Sequence, residues 1–351
     1  MLRALHDLRV ATVSELAKAA GVSRPTTEEA LATLVTQGLA AEVRPEPAAA
    51  RAVGRPARRF EFNARVGHVV GVDVGVGEIR AVTVDLRGTV VAQESALIRA
   101  DSSTEVRLGE ARSVMRRCAK AARVEHADIL AVGVASTGII DDNGRVALSF
   151  RLPDLPGTDL SEALRVFGTA PVLVGNDARL GTLAESWLGA ARGIGDVVNV
   201  VTGRHLTAGI MLDGVVRLGR HGAAGEIAVL PEAGWRAALE LIESQGDPIA
   251  LFAAAGAGDA AAIATVDRFT ADLSVGIAAL VLAVDPDCVV VSGPLARAGE
   301  HLLAPLRTQL ARRCLFPLDV RASTLGPDAV ALGAAKLALT EVERDLFDSV
   351  H

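Results

Sequence analysis

The dipeptide Asn176-Asp177 is the place in this sequence where a side chain could act on a bound hydroxyl group. It follows the apolar run 172–174 and precedes a helix that we predict to begin at Ala178. A carboxylate here can take the proton of a hydroxyl or form only a hydrogen bond to it. The same two residue types are also preferred helix N-caps. From the residues alone, the cap is the favoured interpretation.

Two glycine-rich turns, one before and one after this dipeptide, have the pattern of strand–turn–strand units. The first lies in the stretch 69–85 and contains Asp73 and Gly75, and the second lies in the stretch 196–216 and contains Gly203 and Gly209. The second stretch repeats the first roughly 125 residues later, which predicts two similar lobes. Alternating strands and helices fill the remainder, so we expect an α/β protein with mixed sheets and a cleft between the lobes.

Ahead of these lobes, the first 65 residues predict three short helices. The first is Leu2–Leu8, and the capping-box pattern of Thr12–Glu15 starts a second helix that ends at Ala20. Ser23 is a suitable cap for a third helix that runs to about Gln37. A helix, a four-residue turn and a second helix is the arrangement that places the second helix in the major groove of DNA.

The third helix has two chemically different faces. Its predicted buried stripe consists of Ala30, Leu31, Leu34 and Val35. Glu29 could accept a hydrogen bond from a cytosine amine, or it could weaken binding by repelling phosphates. The residues that we predict to contact DNA from this helix and its cap are Ser23, Arg24, Thr26, Thr27, Glu29 and Thr33.

An arginine-rich segment, residues 43–62, follows the third helix. The turn Gly54-Arg55-Pro56 and the alternating run Phe60-Glu61-Phe62 predict a β-wing. Its arginines would meet phosphates or a minor groove, and the predicted contacts are Arg55, Arg58 and Arg59. The alternative is a small helical interaction module with a solvated arginine-rich linker, and the ordered combination of elements favours DNA binding.

Charge and composition narrow the class of protein. Residues 1–65 carry ten Arg and Lys against seven Asp and Glu, about +3, whereas the rest carries 26 against 35, about −9, which returns the net −6 of the whole chain. A basic head on an acidic body indicates a polyanionic partner at the head only. The three cysteines, at positions 118, 288 and 314, are far apart, and the chain starts without a signal-peptide pattern or any membrane-length apolar run. We therefore expect a cytoplasmic location, without a membrane or a disulfide framework.

An ordered set of short strings resembles the ROK family (repressor, open reading frame, kinase). The strings are Gly54-Arg55-Pro56-Ala57, Gly71-Val72-Asp73-Val74-Gly75, Asn176-Asp177-Ala178-Arg179, Gly225-Glu226-Ile227, Val290-Val291-Ser292-Gly293-Pro294-Leu295 and Leu332-Gly333-Ala334-Ala335. The resemblance implies a two-lobed actin-like, ribonuclease-H-like ATPase fold with an N-terminal winged helix-turn-helix domain. The predicted domains are the head at 1–65, a first lobe at 66–184 with a C-terminal helix at 328–346 packing back on it, and a second lobe at 185–327.

The same resemblance implies a sugar site. Asp177 matches the family's catalytic aspartate and would be a vestigial base here, and the implied sugar-binding residues are Gly138, Asn176, Asp177, Glu226 and Glu240. A histidine that binds sugar and zinc in many members is replaced by Val229, and the stretch 231–236 lacks the family's cysteines. We therefore predict no zinc site and no other metal.

The two phosphate loops depart from the kinase pattern. Asp73 and Gly75 are retained in the first loop, but Gly77 stands where a hydroxyl donor is expected. In the second loop Gly203 and Gly209 are retained, whereas His205 and Thr207 replace inner glycines and Arg204 replaces a threonine. Side chains in place of glycines keep backbone N–H groups away from a nucleotide, so we predict that ATP binding is lost and that there is no cofactor.

Two functions follow from these observations. The favoured one is a DNA-binding transcriptional regulator, a repressor of carbohydrate-related genes, which forms a homodimer or higher oligomer and whose body binds either a sugar or sugar-phosphate effector or no ligand at all. The alternative is an active ATP-dependent hexose kinase with an N-terminal regulatory module. In the first case, a ligand that closes the cleft would change the spacing of the two heads of a dimer, and therefore the fit to two half-sites.

Overall fold

The computed structural model describes residues 1–43, 57–141, 143–203 and 205–348, so the predicted turn at 54–56 and Arg204 lie outside the described residues. The N-terminal head, residues 1–43 and 57–66 of the described chain, is a winged helix. Its elements in chain order are α1 (Leu2–Leu8), β1 (Val10–Thr12), α2 (Val13–Ala20), α3 (Arg24–Thr36), β2 (Ala40–Val43) and β3 (Arg59–Phe62).

The predicted caps and the predicted wing strand of the head are confirmed. Thr12 Oγ1 accepts from the Glu15 amide at 3.3 Å while the Glu15 carboxylate accepts from the Thr12 amide at 2.7 Å, which is a complete capping box. Ser23 Oγ accepts from the Thr26 amide at 3.3 Å at the start of α3. Strand β3 pairs antiparallel with both β1 and β2, and Phe60 and Phe62 alternate inward from it.

The buried face of α3 is rotated from the predicted one. Thr27, Leu31 and Leu34 are buried, whereas Val35 is 42% exposed and Ala30 is only partly covered. The prediction of Val35 as a core residue is therefore wrong, because the helix packs through positions spaced four and three residues apart that begin at Thr27.

The first lobe contains a five-stranded sheet in the order β10-β7-β4-β5-β6. Strand β7 is parallel to β4 and β10, and β5 is antiparallel to β4 and β6. The elements of this lobe are β4 (His68–Val74), β5 (Glu78–Asp85), β6 (Val90–Leu97), α4 (Thr104–Ala121), β7 (Ile129–Ser136), β8 (Ile139–Ile140), β9 (Val146–Leu148), α5 (Leu160–Ala163), β10 (Val172–Asn176) and α6 (Asp177–Trp187).

The second lobe repeats this topology. Its sheet has the order β13-β12-β11-β14-β15, with an antiparallel meander β11-β12-β13 followed by two parallel strands. The repeat and the α/β class predicted from the sequence are confirmed. The elements are β11 (Val197–Thr202), β12 (Leu206–Leu212), β13 (Val215–Val216), α7 (Trp235–Glu243), α8 (Pro248–Gly256), α9 (Ala260–Val284), β14 (Cys288–Ser292), α10 (Glu300–Leu310) and β15 (Asp319–Ala322).

In the parts of the chain that the structure describes, no single helix has the length and apolar character needed to cross a bilayer. Helices α8 and α9 together meet both criteria, but they are bent by 116° at the break between them. One face of α9 packs in the hydrophobic core of the second lobe through Phe269, Leu273 and Ile277.

The last helix, α11 (Ala329–Asp348), returns to the first lobe and lies on β4, β7 and α6. Two strand glycines make this approach possible. A Cβ on Gly71 would collide with the Ala331 carbonyl oxygen, and one on Gly133 would collide with that of Ala334. The helix backbone therefore rests directly on the sheet.

The head is attached to the first lobe by a shared core. The Arg87 guanidinium, in the turn after β5, donates to the carbonyl oxygens of Arg9 at 3.1 Å and Phe62 at 3.3 Å. The His6 ring lies edge-on to Phe62 at 5.5 Å and to Phe347 of α11 at 5.4 Å. Buried residues of the head and of α11 belong to one contiguous cluster, so the head is packed against the body.

Candidate functional site

A cavity of about 340 Å³ lies between the two lobes. The turns after β7 and β9 form one wall, and the β11–β12 turn, a 3₁₀ turn at 227–229 and the start of α7 form the other. Asp177, the first residue of α6, lies between the walls. The lining residues are Thr137, Gly138, Ile139, Leu148, Phe150 and Arg151 from the first lobe, Asp177, and His205, Leu206, Glu226, Ala228, Val229 and Arg236 from the second.

The sequence left two roles open for Asn176 and Asp177, the helix cap and the contact with a bound hydroxyl, and the two side chains have different environments. Asn176 is the N-cap of α6, because its Oδ1 accepts from the Arg179 amide at 3.1 Å, while its Nδ2 donates to the Gly138 carbonyl at 2.9 Å. Its side chain is buried and is not part of the cavity lining. Asn176 as a sugar contact therefore stays a prediction, whereas the side chain of Asp177 lines the cavity.

Gly138 lies where the wall of the cavity needs a glycine. Its φ is +104°, and a Cβ at this position would collide with the carbonyl oxygen of Leu148. Glycine is therefore required here by the backbone conformation and by the close packing of this turn on Leu148. Asn176 holds this turn in place through the bond to the Gly138 carbonyl.

The carboxyl groups of the cavity are desolvated. Burial raises the pKa of Asp177, and the nearby His205, whose Nε2 is 3.9 Å from Asp177 Oδ2, opposes that rise. Burial also raises the pKa of Glu226, and the Asp177 charge raises it further. The buried guanidinium of Arg179 lies near both carboxyl groups and lowers both pKa values in part. The two carboxyls are therefore held towards their neutral, hydrogen-bonding forms.

Glu240 is not part of the cavity. It lies on the exposed face of α7, whose buried face consists of Trp235, Ala238 and Ile242. Arg236, one turn earlier on the same helix, lines the cavity instead. Glu240 as a sugar ligand therefore stays a prediction, and the side chain that α7 presents to the cavity is that of Arg236.

The first glycine turn is held by a residue that the sequence analysis missed. The buried Arg107 of α4 donates to the carbonyl oxygens of Gly75 at 2.6 Å and Val76 at 3.0 Å. Asp73 is the last residue but one of β4, where burial and the charge of Asp177 raise its pKa to about 8. The turn after β4 thus directs the carbonyl oxygens of Gly75 and Val76 at Arg107, and the Asp73 carboxyl beside this turn has a raised pKa.

The second glycine turn is a short hairpin between β11 and β12. The Gly203 amide donates to the His205 carbonyl at 3.1 Å, and Thr207 is buried within β12. Gly209 lies inside the strand, where a Cβ would collide with Thr182 Oγ1 of α6. Gly209 is therefore required for packing β12 on α6, which corrects its prediction as part of a phosphate loop.

No group of three or more His, Cys, Asp and Glu residues in the described segments of the chain is placed to hold a metal ion. The cavity itself contributes two carboxyls and one imidazole, from Asp177, Glu226 and His205. Asp177 and His205 lie 3.9 Å apart, and burial raises the pKa of both carboxyls.

The predicted DNA contacts on α3 and at its cap are exposed, with one exception. Ser23, Arg24, Thr26, Glu29 and Thr33 are all exposed along α3. Thr27 is fully buried, and its hydroxyl donates to the Ser23 carbonyl at 2.9 Å. The prediction of Thr27 as a DNA contact is therefore wrong.

The wing arginines have different environments. Arg58 forms two hydrogen bonds to the Glu42 carboxylate, at 2.8 and 2.7 Å, and its guanidinium lies over the Phe60 ring at 5.0 Å. Arg59 is exposed at the start of β3. Arg55 lies outside the described residues. Arg58 braces the hairpin, so of these two residues Arg59 is the one free to reach DNA.

Several cavity residues could not be found by sequence reasoning. Phe150 and Arg151 belong to an irregular segment after β9, and Arg236 was noted only for being in a stretch without thiols. His205 was identified as a side chain that replaces a glycine, and the structure adds its approach to Asp177. Only the packing of the two lobes brings these four side chains together.

Comparisons with known families identify the chain. The model of the ROK family matches residues 69–234 and 228–341, and the model of the IclR helix-turn-helix domain matches residues 1–44. The chain belongs to the ROK family and carries a helix-turn-helix head in front of the family's body. The family and fold class predicted from the sequence are thereby confirmed.

Individual relatives fall into two groups. The chain is 23% identical to the xylose repressor of Caldicellulosiruptor bescii over 384 aligned positions, which cover 97% of this chain and 95% of that protein. It is 28% identical to a glucokinase of Halalkalibacterium halodurans over 313 positions, which cover 76% of this chain and 94% of the enzyme. A crystal structure of a ROK family transcriptional regulator, a homologue of the E. coli MLC protein, superposes with a TM-score of 0.72 at 20% identity, covering 96% of this chain and 95% of that one.

Proposed function

We propose that this protein is a transcriptional repressor of carbohydrate genes, which binds double-stranded DNA through its head and senses a sugar-like ligand in the cavity. The observation that carries the proposal is the exposed polar face of α3 at Arg24, Thr26, Glu29 and Thr33, beside a wing strand with an exposed Arg59. The repressor relative aligns through this head, whereas the glucokinase relative aligns over 76% of the chain. A homodimer would present two such heads to two half-sites.

The body supports sensing rather than phosphate transfer. His205 lies beside Asp177, which is the group that a kinase would use as its base. Gly209 is used to pack a strand on a helix, and the first glycine turn faces Arg107 with its carbonyl oxygens. Because little remains to surround a nucleotide with amides, we infer that the cavity binds a ligand without converting it.

Genomic footprinting of the tagged full-length protein, followed by gel-shift titration of the recovered sites, tests the DNA half of the proposal. We expect a recovered site to bind about 1000-fold or more tightly than a scrambled duplex. Equal affinity for both duplexes would contradict sequence-specific regulation. The Arg59→Ala protein should bind both duplexes more weakly, because phosphate contacts carry little sequence information.

A second candidate function is an ATP-dependent hexose kinase. It is favoured by the position of Asp177 in the cavity and by the glucokinase relative. A coupled ADP-release assay across common hexoses distinguishes the two functions. We expect no turnover above background. Turnover that is abolished by Asp177→Asn would reverse the ranking, since a phosphoryl acceptor needs that base.

A further inference from the structure

The charges that line the cavity point to the chemical class of its ligand. Two arginines, Arg151 after β9 and Arg236 in the first turn of α7, contribute side chains from opposite lobes. Both are exposed, and neither guanidinium forms a hydrogen bond or ion pair with any other residue in the described parts of the chain. Other exposed arginines, such as Arg59 and Arg312, also have no side-chain partner among the described residues, but Arg151 and Arg236 line the same cavity from opposite lobes and so bring two unpaired positive charges to one ligand.

The acidic side chains of the cavity do not cancel this charge. The guanidinium groups of Arg151, Arg179 and Arg236 outnumber the carboxyls of Asp177 and Glu226 even when both carboxyls are ionised, and burial also raises the pKa of both carboxyls. Arg179 lies behind them with 6% of its surface exposed, and its Nε and Nη1 have no hydrogen-bond partner among the described residues. A guanidinium remains charged at any physiological pH. The balance of charge around the ligand is therefore positive.

The position of Arg236 at the start of helix α7 adds to this positive charge. Helix α7 begins at Trp235, and its N-cap Gly234 offers no side-chain cap. The amide groups of the first turn therefore leave the partial positive charge of the helix start uncompensated. The same helix carries Glu240 one turn later, outside the cavity.

The remaining surface of the cavity suits the ring of a sugar. Phe150 is 69% exposed beside Arg151, and Val229 is 56% exposed on the facing wall. An aromatic face can pack on the C–H groups of a pyranose, while neutral or charged carboxyls and the histidine hydrogen-bond its hydroxyls. Apolar contact and hydroxyl recognition thus occur next to unpaired guanidinium groups.

We propose that the ligand of this cavity is an anionic sugar, with hydroxyls at Asp177 and Glu226 and a phosphate or carboxylate at Arg151 and Arg236. This inference rests on the proposed function, in which the cavity senses a ligand. It excludes a neutral free sugar as the main ligand, because such a molecule would leave two guanidinium groups unused. Planar guanidinium groups bind phosphate and carboxylate in pairs of parallel hydrogen bonds.

The test compares neutral and anionic forms of the same sugars on the full-length protein. Thermal shift is measured with common hexoses, their 6-phosphates, hexonates and hexuronates, and the best neutral and anionic pair is then titrated by calorimetry. We expect the anionic form to bind about tenfold or more tightly, with a preference that falls as salt concentration rises. The hexonates and hexuronates distinguish a carboxylate from a phosphate.

Substitutions assign the effect to the two arginines. In the Arg151→Gln, Arg236→Gln double variant the preference for the anionic sugar should fall to about twofold or less, because affinity for the anionic form falls much further than affinity for the neutral form. Arg312→Gln, which removes an exposed and unpaired arginine beyond α10, is the matched control and should bind as the wild type does. Melting temperatures of the unliganded variants verify that each is folded.

Three outcomes would overturn the inference. One is a neutral sugar that binds as tightly as its anionic form, and a second is inorganic phosphate alone that binds as tightly as the sugar phosphate. The third is a double variant that keeps the wild-type preference. Each leaves the proposed regulator intact, whereas the absence of any shift with every sugar, neutral or anionic, would overturn the sensing half of the proposed function and the inference with it.

Discussion

At the scale of single residues, burial raises the pKa of carboxyl groups in the cavity and beside it. Asp73 has a pKa of about 8, raised from an ordinary value of 3.8 by burial and by the charge of Asp177. A carboxyl with a raised pKa binds a proton on folding, so the stabilisation is complete below pH 3.8. It is lost as the pH rises towards the folded-state value. The wild-type protein should therefore lose stability between about pH 4 and pH 8.

The variant Asp73→Asn tests this linkage. Its amide does not titrate, so the variant should become more stable than the wild type as the pH rises through this window. The gain is at most ~1.4 kcal/mol per pH unit and levels off above about pH 8. Urea unfolding at a series of pH values measures the difference. Asp154→Asn, which removes an exposed carboxyl, should give a curve parallel to the wild type. If the Asp73→Asn curve is also parallel, Asp73 ionises normally.

The helix caps and Glu240 differ in how well the sequence predicts them. The cap at Ser23 and the capping box at Thr12 depend on neighbours within a few residues, so their residue types alone predicted them. Glu240 was carried over from a family string, but rotation of α7 is set by the buried ring of Trp235, which contacts the distant helix α9. A site assembled from both lobes depends on such contacts, and no local pattern reports them.

At the scale of elements, α3 has one face for the core and another for solvent. Thr27 and Thr33 are the same residue type on the same helix, and each hydroxyl donates to a backbone carbonyl four residues earlier. Thr27 is fully buried, whereas Thr33 is exposed. Threonine is a polar residue type, which is consistent with the predicted DNA contact at Thr27. Its hydroxyl can nevertheless be buried, because it donates a hydrogen bond to a backbone carbonyl one turn earlier in the helix.

The pair Thr27→Ala and Thr33→Ala separates stability from recognition. Thr27→Ala leaves a small void in the core of the head, so we expect a loss of about 1–2 kcal/mol in the free energy of unfolding. Thr33→Ala should change stability by less than about 0.5 kcal/mol but weaken operator binding several-fold. Chemical denaturation and gel-shift titration provide the two measurements. Weak DNA binding by Thr27→Ala at full stability would indicate that α3 binds DNA through its other face.

At the scale of the whole molecule, α11 connects the cavity with the head. A Cβ on Gly333 would collide with the Leu180 carbonyl of α6, the helix that begins at Asp177, so these helices are in close contact. At its other end, Phe347 lies against His6 of α1 and under the guanidinium of Arg3, at 5.4 and 5.3 Å from the ring centroid. A shift of α6 on ligand binding would therefore move α11, and α11 would change its contacts with the head.

This connection predicts a reciprocal coupling that a single side chain should break. In the wild type, saturating ligand should weaken operator binding about tenfold, and operator DNA should weaken ligand binding by the same factor, because coupling free energies are symmetric. Phe347→Ala should reduce both factors towards one while leaving ligand affinity without DNA unchanged. Phe316→Ala removes an exposed phenylalanine from the second lobe and should keep the full coupling. Calorimetry with and without operator, and gel shifts with and without ligand, measure the two sides. Full coupling in Phe347→Ala would exclude the contact of α11 with α1 as the route.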